Sequence, residues 1–197
     1  FVVCDGADLH SAVEALINAI FFNKGEVCCA GSRLIVQESI AEEFLELLRE
    51  RMSKLRVGNP LDKTVDIGAM NSREQYDKVT SLIERGKAEG CTIWQPDNCL
   101  LPSASGGLFI APTLVTNVSP SDALAREEIF GPVLVVHTFR EVAEAVALAN
   151  NTRYGLAASV WCQDIDVGLD IASKLEAGTV WVNCTNLFDA ASGFGGY

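Results

Sequence analysis

Short apolar runs alternate with amphipathic stretches along this chain, and that alternation restricts its fold more than any other feature. Residues 133–136 (VLVV) form a continuous apolar run, which is typical of a strand buried on both faces. An amphipathic helix around residues 142–149 and a strand over 156–161 are predicted next, followed by a helix over 164–176 and a strand over 179–183. This alternation predicts an α/β fold with a mainly parallel open sheet flanked by helices.

The amino-terminal half follows the same pattern. Apolar residues recur at three- and four-residue steps over 9–21, which predicts a helix with Asp8 as its N-cap and Gly25 as its stop. Capping boxes at Ser39 and Ser72 predict the starts of two further helices. The other predicted elements are strands over 33–37 and 91–94, a loop over 96–107 and an extended segment over 109–118.

The composition argues against several classes of partner. The net charge is −11 and the pI is about 4.6, so the acidic surface disfavours a nucleic-acid groove or an anionic membrane as a binding partner. No apolar run approaches the roughly 20 residues that a membrane helix needs. The seven cysteines contain no Cys-x-x-Cys pair, which predicts reduced thiols, a cytoplasmic location and no metal site.

Two adjacent cysteines, Cys28 and Cys29, lie between the first predicted helix and the strand at 33–37. Free cysteines are most often buried and inert, and the pair alone favours that interpretation. Residues 30–32 (AGS) favour an accessible nucleophile instead, because they leave space and offer backbone N–H groups to an oxyanion. Neither histidine is tied to this segment, so a Cys-His protease has little support. The spacing does not decide which thiol attacks.

Two carboxylates, Glu127 and Glu128, stand directly before an apolar pair and a turn at Gly131 and Pro132. A solvated charge pair in a loop is one interpretation of this segment. The other is a carboxylate held on a rigid corner, where it accepts hydrogen bonds from a ligand hydroxyl pair, as acidic residues do for nucleotide ribose.

Two further segments carry weaker signals. Residues 150–158 (NNTRYGLAA) predict a helix stop and a turn into a strand, which favours a structural role over a catalytic one. Residues 178–184 (GTVWVNC) predict a strand, and the loop after it contains Phe188 and Phe194. We expect these aromatic residues either to line an apolar pocket or to belong to the core.

These four segments, in this order, resemble the aldehyde dehydrogenase superfamily, specifically its catalytic domain, over essentially the whole chain. The matching stretches are residues 22–28 (FNKGEVC), 127–132 (EEIFGP), 151–156 (NTRYGL) and 178–183 (GTVWVN). Residues 36–39 and 48–66 are similar to the family 16 subgroup. The resemblance implies NAD(P)-dependent oxidation of an aldehyde to a carboxylic acid, through a thiohemiacetal and a thioacyl intermediate on a cysteine.

The resemblance also implies roles for individual residues. Cys28 matches the nucleophile, and Cys29 is its neighbour in the substrate pocket. Glu128 matches the residue that holds the nicotinamide ribose, and Phe130 packs near the cofactor. The other matched positions are Gln75 and Lys78 near the same ribose, and Phe188 and Phe194 in the substrate tunnel. The implied cofactor is NAD or NADP, the implied partner is a small-molecule aldehyde, and the implied assembly is a homo-oligomer.

The sequence departs from the family pattern in two ways. Glu26 stands where the family often has glutamine, and a carboxylate facing the thiol would disfavour a second anion there, because like charges repel. The general-base glutamate of the family lies in a Glu-Leu-Gly-Gly motif that residues 1–197 do not contain. We therefore expect a catalytic domain truncated at both ends. The base and NAD-binding domain would precede Phe1, and the oligomerisation strands would follow Tyr197. Residues 1–197 alone are expected to be inactive.

Two other functions stay open from the sequence. A non-catalytic binding or scaffold module with the aldehyde dehydrogenase fold is compatible with Glu26 and with the missing base. A thiol-transfer protein has less support, because no Cys-x-x-Cys accompanies the thiol pair. The sequence before Phe1 would separate enzyme from scaffold, since a glycine-rich turn and a base motif favour catalysis.

Overall fold

Seven strands and six helices alternate along the part of the chain that the structure, a computed structural model, describes: residues 1–99, 101–102 and 107–197. They are β1 (Val2–Val3), α1 (Leu9–Phe21), β2 (Arg33–Gln37), α2 (Glu38–Met52), α3 (Arg73–Glu89), β3 (Thr92–Trp94), β4 (Thr113–Thr116), α4 (Ala123–Arg126), β5 (Val133–Phe139), α5 (Val142–Asn150), β6 (Ala157–Trp161), α6 (Ile165–Lys174) and β7 (Thr179–Val182). A 3-10 helix, Phe22–Gly25, follows α1. The loop predicted over 96–107 lies partly outside the described residues. None of the helices in the described ranges is both long and apolar enough to cross a membrane.

The strands form one sheet in the order β3-β4-β5-β2-β1-β6-β7. Neighbouring strands are parallel, except that β3 pairs antiparallel with β4 at one edge. Parallel neighbours need a crossover connection, and helices supply most of these connections here. The predicted fold, a mainly parallel open sheet flanked by helices, is confirmed.

The helices cover both faces of the sheet, as the interior strand β5 shows. Leu134 and Val136 pack into the cluster built by α1 and α2, whereas Val133 and Val135 pack into the cluster built by α3 and α4. All four side chains are buried, as the continuous apolar run at 133–136 predicts. Full burial of a side chain of this size stabilises the fold by about 1.5–3 kcal/mol relative to exposure.

The predicted helix starts are correct at two of three positions. Asp8 caps α1 and Ser72 caps α3, each by accepting a hydrogen bond at 3.1 Å from the backbone N–H three residues on. The capping box predicted at Ser39 is wrong. Helix α2 begins at Glu38, and its N-cap Gln37 makes no side-chain cap, because β2 continues directly into the helix.

The topology brings the segments singled out in the sequence to one edge of the sheet. Cys28 and Cys29 come shortly before β2, Glu128 comes before β5, and Tyr154 comes before β6. The amino ends of parallel strands lie at the same edge, so these segments converge there. Ligands in doubly wound sheets usually bind at the carboxyl ends of the strands, so this site lies at the opposite edge.

Candidate active site

Three consecutive residues with positive φ turn the chain sharply after α1. Asn23, Lys24 and Gly25 have φ values of 47°, 62° and 73°, in the left-handed region that favours glycine. Gly25 is required for a second reason, because a Cβ at this position would overlap the carbonyl oxygen of Gly131. The turn therefore seats the cysteine segment directly against the Glu-Glu-Ile-Phe-Gly-Pro segment.

The structure distinguishes the two adjacent thiols. Cys28 is exposed, whereas Cys29 is partly buried and its Sγ donates a hydrogen bond to Asn186 Oδ1 at 3.3 Å. Burial, and after it the neighbouring Cys28 thiol, raises the pKa of Cys29. Cys28 is therefore the thiol that an electrophile can reach, whereas the Cys29 thiol is held by its hydrogen bond to Asn186.

The predicted oxyanion donors are not free. The N–H groups of Ala30, Gly31 and Ser32 already donate to the carbonyl oxygens of Val27, Ala19 and Ala30 at 3.1, 3.1 and 2.8 Å. The prediction that these groups serve an oxyanion is wrong, because Gly31 N–H binds α1 at Ala19 and the other two N–H groups bind carbonyl oxygens within the loop. Within the described residues, the N–H groups of Val27, Cys28 and Cys29 have no acceptor, so these are the donors that this loop offers.

The Glu26 carboxylate is directed away from the thiols. Its Oε2 lies 3.1 Å from Lys24 Nζ, and its Oε1 accepts a hydrogen bond from Asn71 N–H at 3.2 Å. The Glu26 side chain is only 6% exposed. The ion pair stabilises the turn itself, and the hydrogen bond from Asn71 links the cysteine loop to the segment that precedes α3. This carboxylate therefore has a structural role.

A cavity of about 500 Å³ lies at the amino edge of the sheet. The side chains that matter for chemistry and share its wall are Cys28, Cys29, Glu128, Tyr154 and Trp181. The structure therefore brings the predicted nucleophile and the predicted ribose-binding carboxylate into one space. Neither histidine lines this cavity: His10 is exposed at the start of α1, and His137 is buried in β5.

Glu128 is an exposed residue whose main chain is anchored by Tyr154. Its N–H donates a hydrogen bond to the Tyr154 hydroxyl oxygen at 3.2 Å. The same oxygen accepts a second hydrogen bond from Arg153 Nη2 at 3.0 Å, and the Arg153 guanidinium lies 5.2 Å from the centre of the Tyr154 ring. The carboxylate thus projects from a fixed stretch of backbone.

Gln75 reaches the same segment from the other side. Its Nε2 donates to the carbonyl oxygens of Ile129 at 3.0 Å and of Phe130 at 2.8 Å. Phe130 has a φ of 56°, so these hydrogen bonds hold a strained turn. Gln75 and Phe130 line a polar cleft of about 530 Å³ beside Glu26. Lys78, one turn further along α3, is exposed and lies outside the lining of that cleft.

Phe188 and Phe194 form an aromatic cluster with Trp181. Ring centroids lie 5.6 Å apart for Trp181 and Phe188, 6.3 Å for Trp181 and Phe194, and 5.0 Å for the two phenylalanines. Trp181 lines the cavity, whereas Phe188 and Phe194 are exposed and lie outside its lining. Of the three aromatic residues, Trp181 is therefore the one that gives this cavity an apolar wall.

Comparison with known proteins identifies the family of the chain. The profile of the Aldehyde dehydrogenase family matches residues 1–197. The chain belongs to the aldehyde dehydrogenase family. Aldehyde dehydrogenase 1A1 of Homo sapiens is 42% identical to it over 196 residues, which cover 100% of this chain and 38% of that protein.

Solved aldehyde dehydrogenases share the fold. The betaine aldehyde dehydrogenase of Staphylococcus aureus, solved with NAD+, has 39% identity and a TM-score of 0.92, covering 100% of this chain and 39% of that one. The aldehyde dehydrogenase KauB of Pseudomonas aeruginosa has 43% identity and a TM-score of 0.94, covering 100% and 40%. This aldehyde dehydrogenase chain therefore spans about two fifths of the length of these relatives.

Two features of this aldehyde dehydrogenase site were not predicted from the sequence. Asn186, which accepts from the Cys29 thiol, has a φ of 54°, and an asparagine in the loop after β7 is a weak signal of left-handed backbone. The contact of Tyr154 with Glu128 joins residues 26 apart and has no sequence signal. Both contacts depend on how the loops meet at the sheet edge.

Proposed function

We propose that the protein oxidises a small aldehyde to a carboxylic acid, with Cys28 as the nucleophile and NAD or NADP as the cofactor. The observation that carries the proposal is that the exposed thiol of Cys28 and the carboxylate of Glu128 line one cavity. Family membership and the NAD+ found in the Staphylococcus aureus relative support the same assignment.

The residues present fit a nicotinamide cofactor. Glu128 offers exposed carboxylate oxygens to a ribose hydroxyl pair, and Phe130 offers an aromatic face in the adjoining cleft. Gln75 keeps its Oε1 free of the two backbone contacts made by its Nε2, and we place Lys78 near the same ribose. A bound NAD(P)+ supplies the two-electron acceptor that turns a thiohemiacetal into a thioester.

The chemistry of the chain itself centres on Cys28. Its thiolate attacks the aldehyde carbon, and a C–S bond forms while the carbonyl π electrons move to oxygen. We assign the N–H of Cys28, one of the donors in this loop that has no acceptor within the described residues, to that oxyanion. After oxidation, water attacks the thioester carbon, the C–S bond breaks, and the acid leaves with the thiolate restored. We assign the base for this water to a glutamate outside residues 1–197.

We propose that the chain is the catalytic part of a longer protein. Its relatives are about two and a half times as long, and we assign the NAD-binding domain and the oligomerisation strands of a homo-oligomer to the remaining length. The seven free thiols fit a reducing compartment, and we place the protein in the cytoplasm. Residues 1–197 alone are then inactive, because the base and the dinucleotide domain are missing.

The test is aldehyde-dependent NADH production by the longer protein, with propanal and benzaldehyde as substrates. Cys28→Ser abolishes turnover if the assignment is right, and Cys29→Ser, the matched control at the adjacent thiol, keeps most of it. Equal turnover in Cys28→Ser and the parent protein would overturn the assignment of the nucleophile. Retained NAD+ binding without any turnover in the parent would instead favour the non-catalytic scaffold.

A further inference from the structure

Tyr154 belongs to a segment that has no role in the proposed chemistry. The segment connects α5 to β6, and the sequence predicts only a structural turn there. Yet Tyr154 lines the cavity that holds Cys28, and its hydroxyl oxygen accepts a hydrogen bond from the backbone N–H of Glu128 at 3.2 Å. It therefore touches the site through Glu128.

The backbone around Glu128 is fixed on both sides, and Tyr154 provides the anchor at Glu128 itself. Glu127 N–H is bound to Ala123 O at 2.9 Å, and the carbonyl oxygens of Ile129 and Phe130 accept from Gln75. In the described ranges, the Tyr154 hydroxyl is the hydrogen-bond acceptor for Glu128 N–H. Removing it frees the residue that carries the carboxylate.

Arg153 holds Tyr154 in the orientation that this contact needs. Its guanidinium stacks on the ring at 5.2 Å from the centroid and donates to the hydroxyl at 3.0 Å. The hydroxyl oxygen then accepts two hydrogen bonds, from Arg153 and from Glu128, which uses both of its lone pairs. The ring has little freedom to turn away from Glu128.

We propose that Tyr154 is a positioning residue for Glu128, and that its hydroxyl sets the affinity of the enzyme for the ribose of the nicotinamide cofactor. The inference rests on the proposed function of Glu128 in holding that ribose. Misplacement of a binding group by even an ångström weakens its hydrogen bonds without removing any reacting atom. The effect is therefore expected on cofactor binding and not on the chemical step.

The experiment is Tyr154→Phe in the longer protein, which deletes one oxygen and keeps the ring. We expect the KM for NAD+ to rise roughly three- to ten-fold, the range for one lost hydrogen bond, with kcat at saturating NAD+ and the KM for the aldehyde unchanged. Tyr76→Phe is the matched control, because Tyr76 also lies beside an arginine, at 5.3 Å from Arg73, but does not contact Glu128. Tyr76→Phe is expected to leave all three constants unchanged.

A double-mutant cycle with Glu128→Gln separates this inference from the function on which it rests. If Tyr154 acts through Glu128, Tyr154→Phe adds no further increase in the KM for NAD+ when Glu128 is already changed. An unchanged KM for NAD+ in Tyr154→Phe, an additive effect in the double mutant or a loss confined to kcat overturns the inference. No turnover in the parent protein, or no effect of Glu128→Gln, overturns the proposed function instead.

Discussion

Gly25 lies against the carbonyl oxygen of Gly131, so the segment that carries the proposed nucleophile and the segment that carries the proposed ribose-binding carboxylate touch through two glycines. A Cβ on Gly25 would overlap that oxygen, and a Cβ on Gly131 would press on the Val79 side chain of α3. Neither position leaves room for a side chain. The distance between the two halves of the site is set by this backbone contact.

Gly25→Ala is expected to lower the free energy of unfolding by about 2 kcal/mol or more, because it adds the overlap with Gly131 to left-handed backbone strain. Gly6→Ala is the matched control: Gly6 has the same φ of 73°, and nothing lies within 4 Å of its would-be Cβ. Urea denaturation of both variants measures the difference. Equal decreases in the free energy of unfolding would show that the overlap with the Gly131 carbonyl oxygen does not itself destabilise the fold.

Gln75→Leu is expected to lower the free energy of unfolding by about 1–3 kcal/mol, because two hydrogen bonds to the carbonyl oxygens of Ile129 and Phe130 are lost. Gln75→Glu keeps the shape but places an anion against both carbonyl oxygens, so it should cost at least as much. Chemical denaturation ranks the two variants. An unchanged free energy of unfolding in Gln75→Leu would show that the turn at Phe130 is stable without the hydrogen bonds from Gln75.

Most of the fold could be predicted from the sequence, because helices and strands follow from local periodicity in the positions of apolar residues. Strands and helices are recognised from residues two, three or four positions apart, and the apolar run at 133–136 predicts the buried interior strand β5. The site residues were found by type and motif. The contacts that hold them join distant positions, such as Cys29 with Asn186, 157 residues apart, and Gln75 with Phe130, 55 apart. No local sequence pattern predicts such pairs. The direction of the Glu26 side chain depends on another distant contact, the hydrogen bond from Asn71 N–H.

Glu26→Gln is expected to leave the rate of Cys28 alkylation by iodoacetamide unchanged, because the carboxylate faces Lys24 and Asn71. The substitution should lower the free energy of unfolding by about 1.5–3 kcal/mol, the range for a hydrogen bond to a charged group. Glu50→Gln, the control, breaks an exposed pair with Lys54 and should cost no more than about 0.5 kcal/mol. A changed rate of Cys28 alkylation in Glu26→Gln would mean that the carboxylate acts on the thiol.

The thiols are expected to react in a fixed order with iodoacetamide. Cys28 is exposed and reacts first, and Cys29 follows slowly because burial raises its pKa. Cys4 and Cys91 react last, since burial raises the pKa of Cys4 to about 12 and that of Cys91 to about 11. Peptide mass spectrometry at several labelling times gives the order. Faster labelling of Cys29 than of Cys28 would contradict the assignment of the accessible thiol.

His137 is expected to make the free energy of unfolding depend on pH, and its burial determines the direction of that dependence. It is 6% exposed in β5, and within the described residues its Nε2 has no hydrogen-bond partner. Burial, and then the Arg33 guanidinium on the neighbouring strand, lowers the pKa of His137 below 6.5, while Asp122 acts in the opposite direction. As the pH falls below 6.5, His137 therefore binds a proton in the unfolded chain before it does so in the folded chain.

The free energy of unfolding should fall as the pH drops through that window, by at most about 1.4 kcal/mol per pH unit from this residue. His137→Leu should flatten the dependence, because neither state then binds the proton, and it also removes a buried nitrogen without a partner. His10→Gln, a change at the exposed histidine, is the control. Urea denaturation of the three proteins on both sides of pH 6.5 provides the comparison. If His137→Leu and the parent lose stability equally on acidification, other groups set the pH dependence.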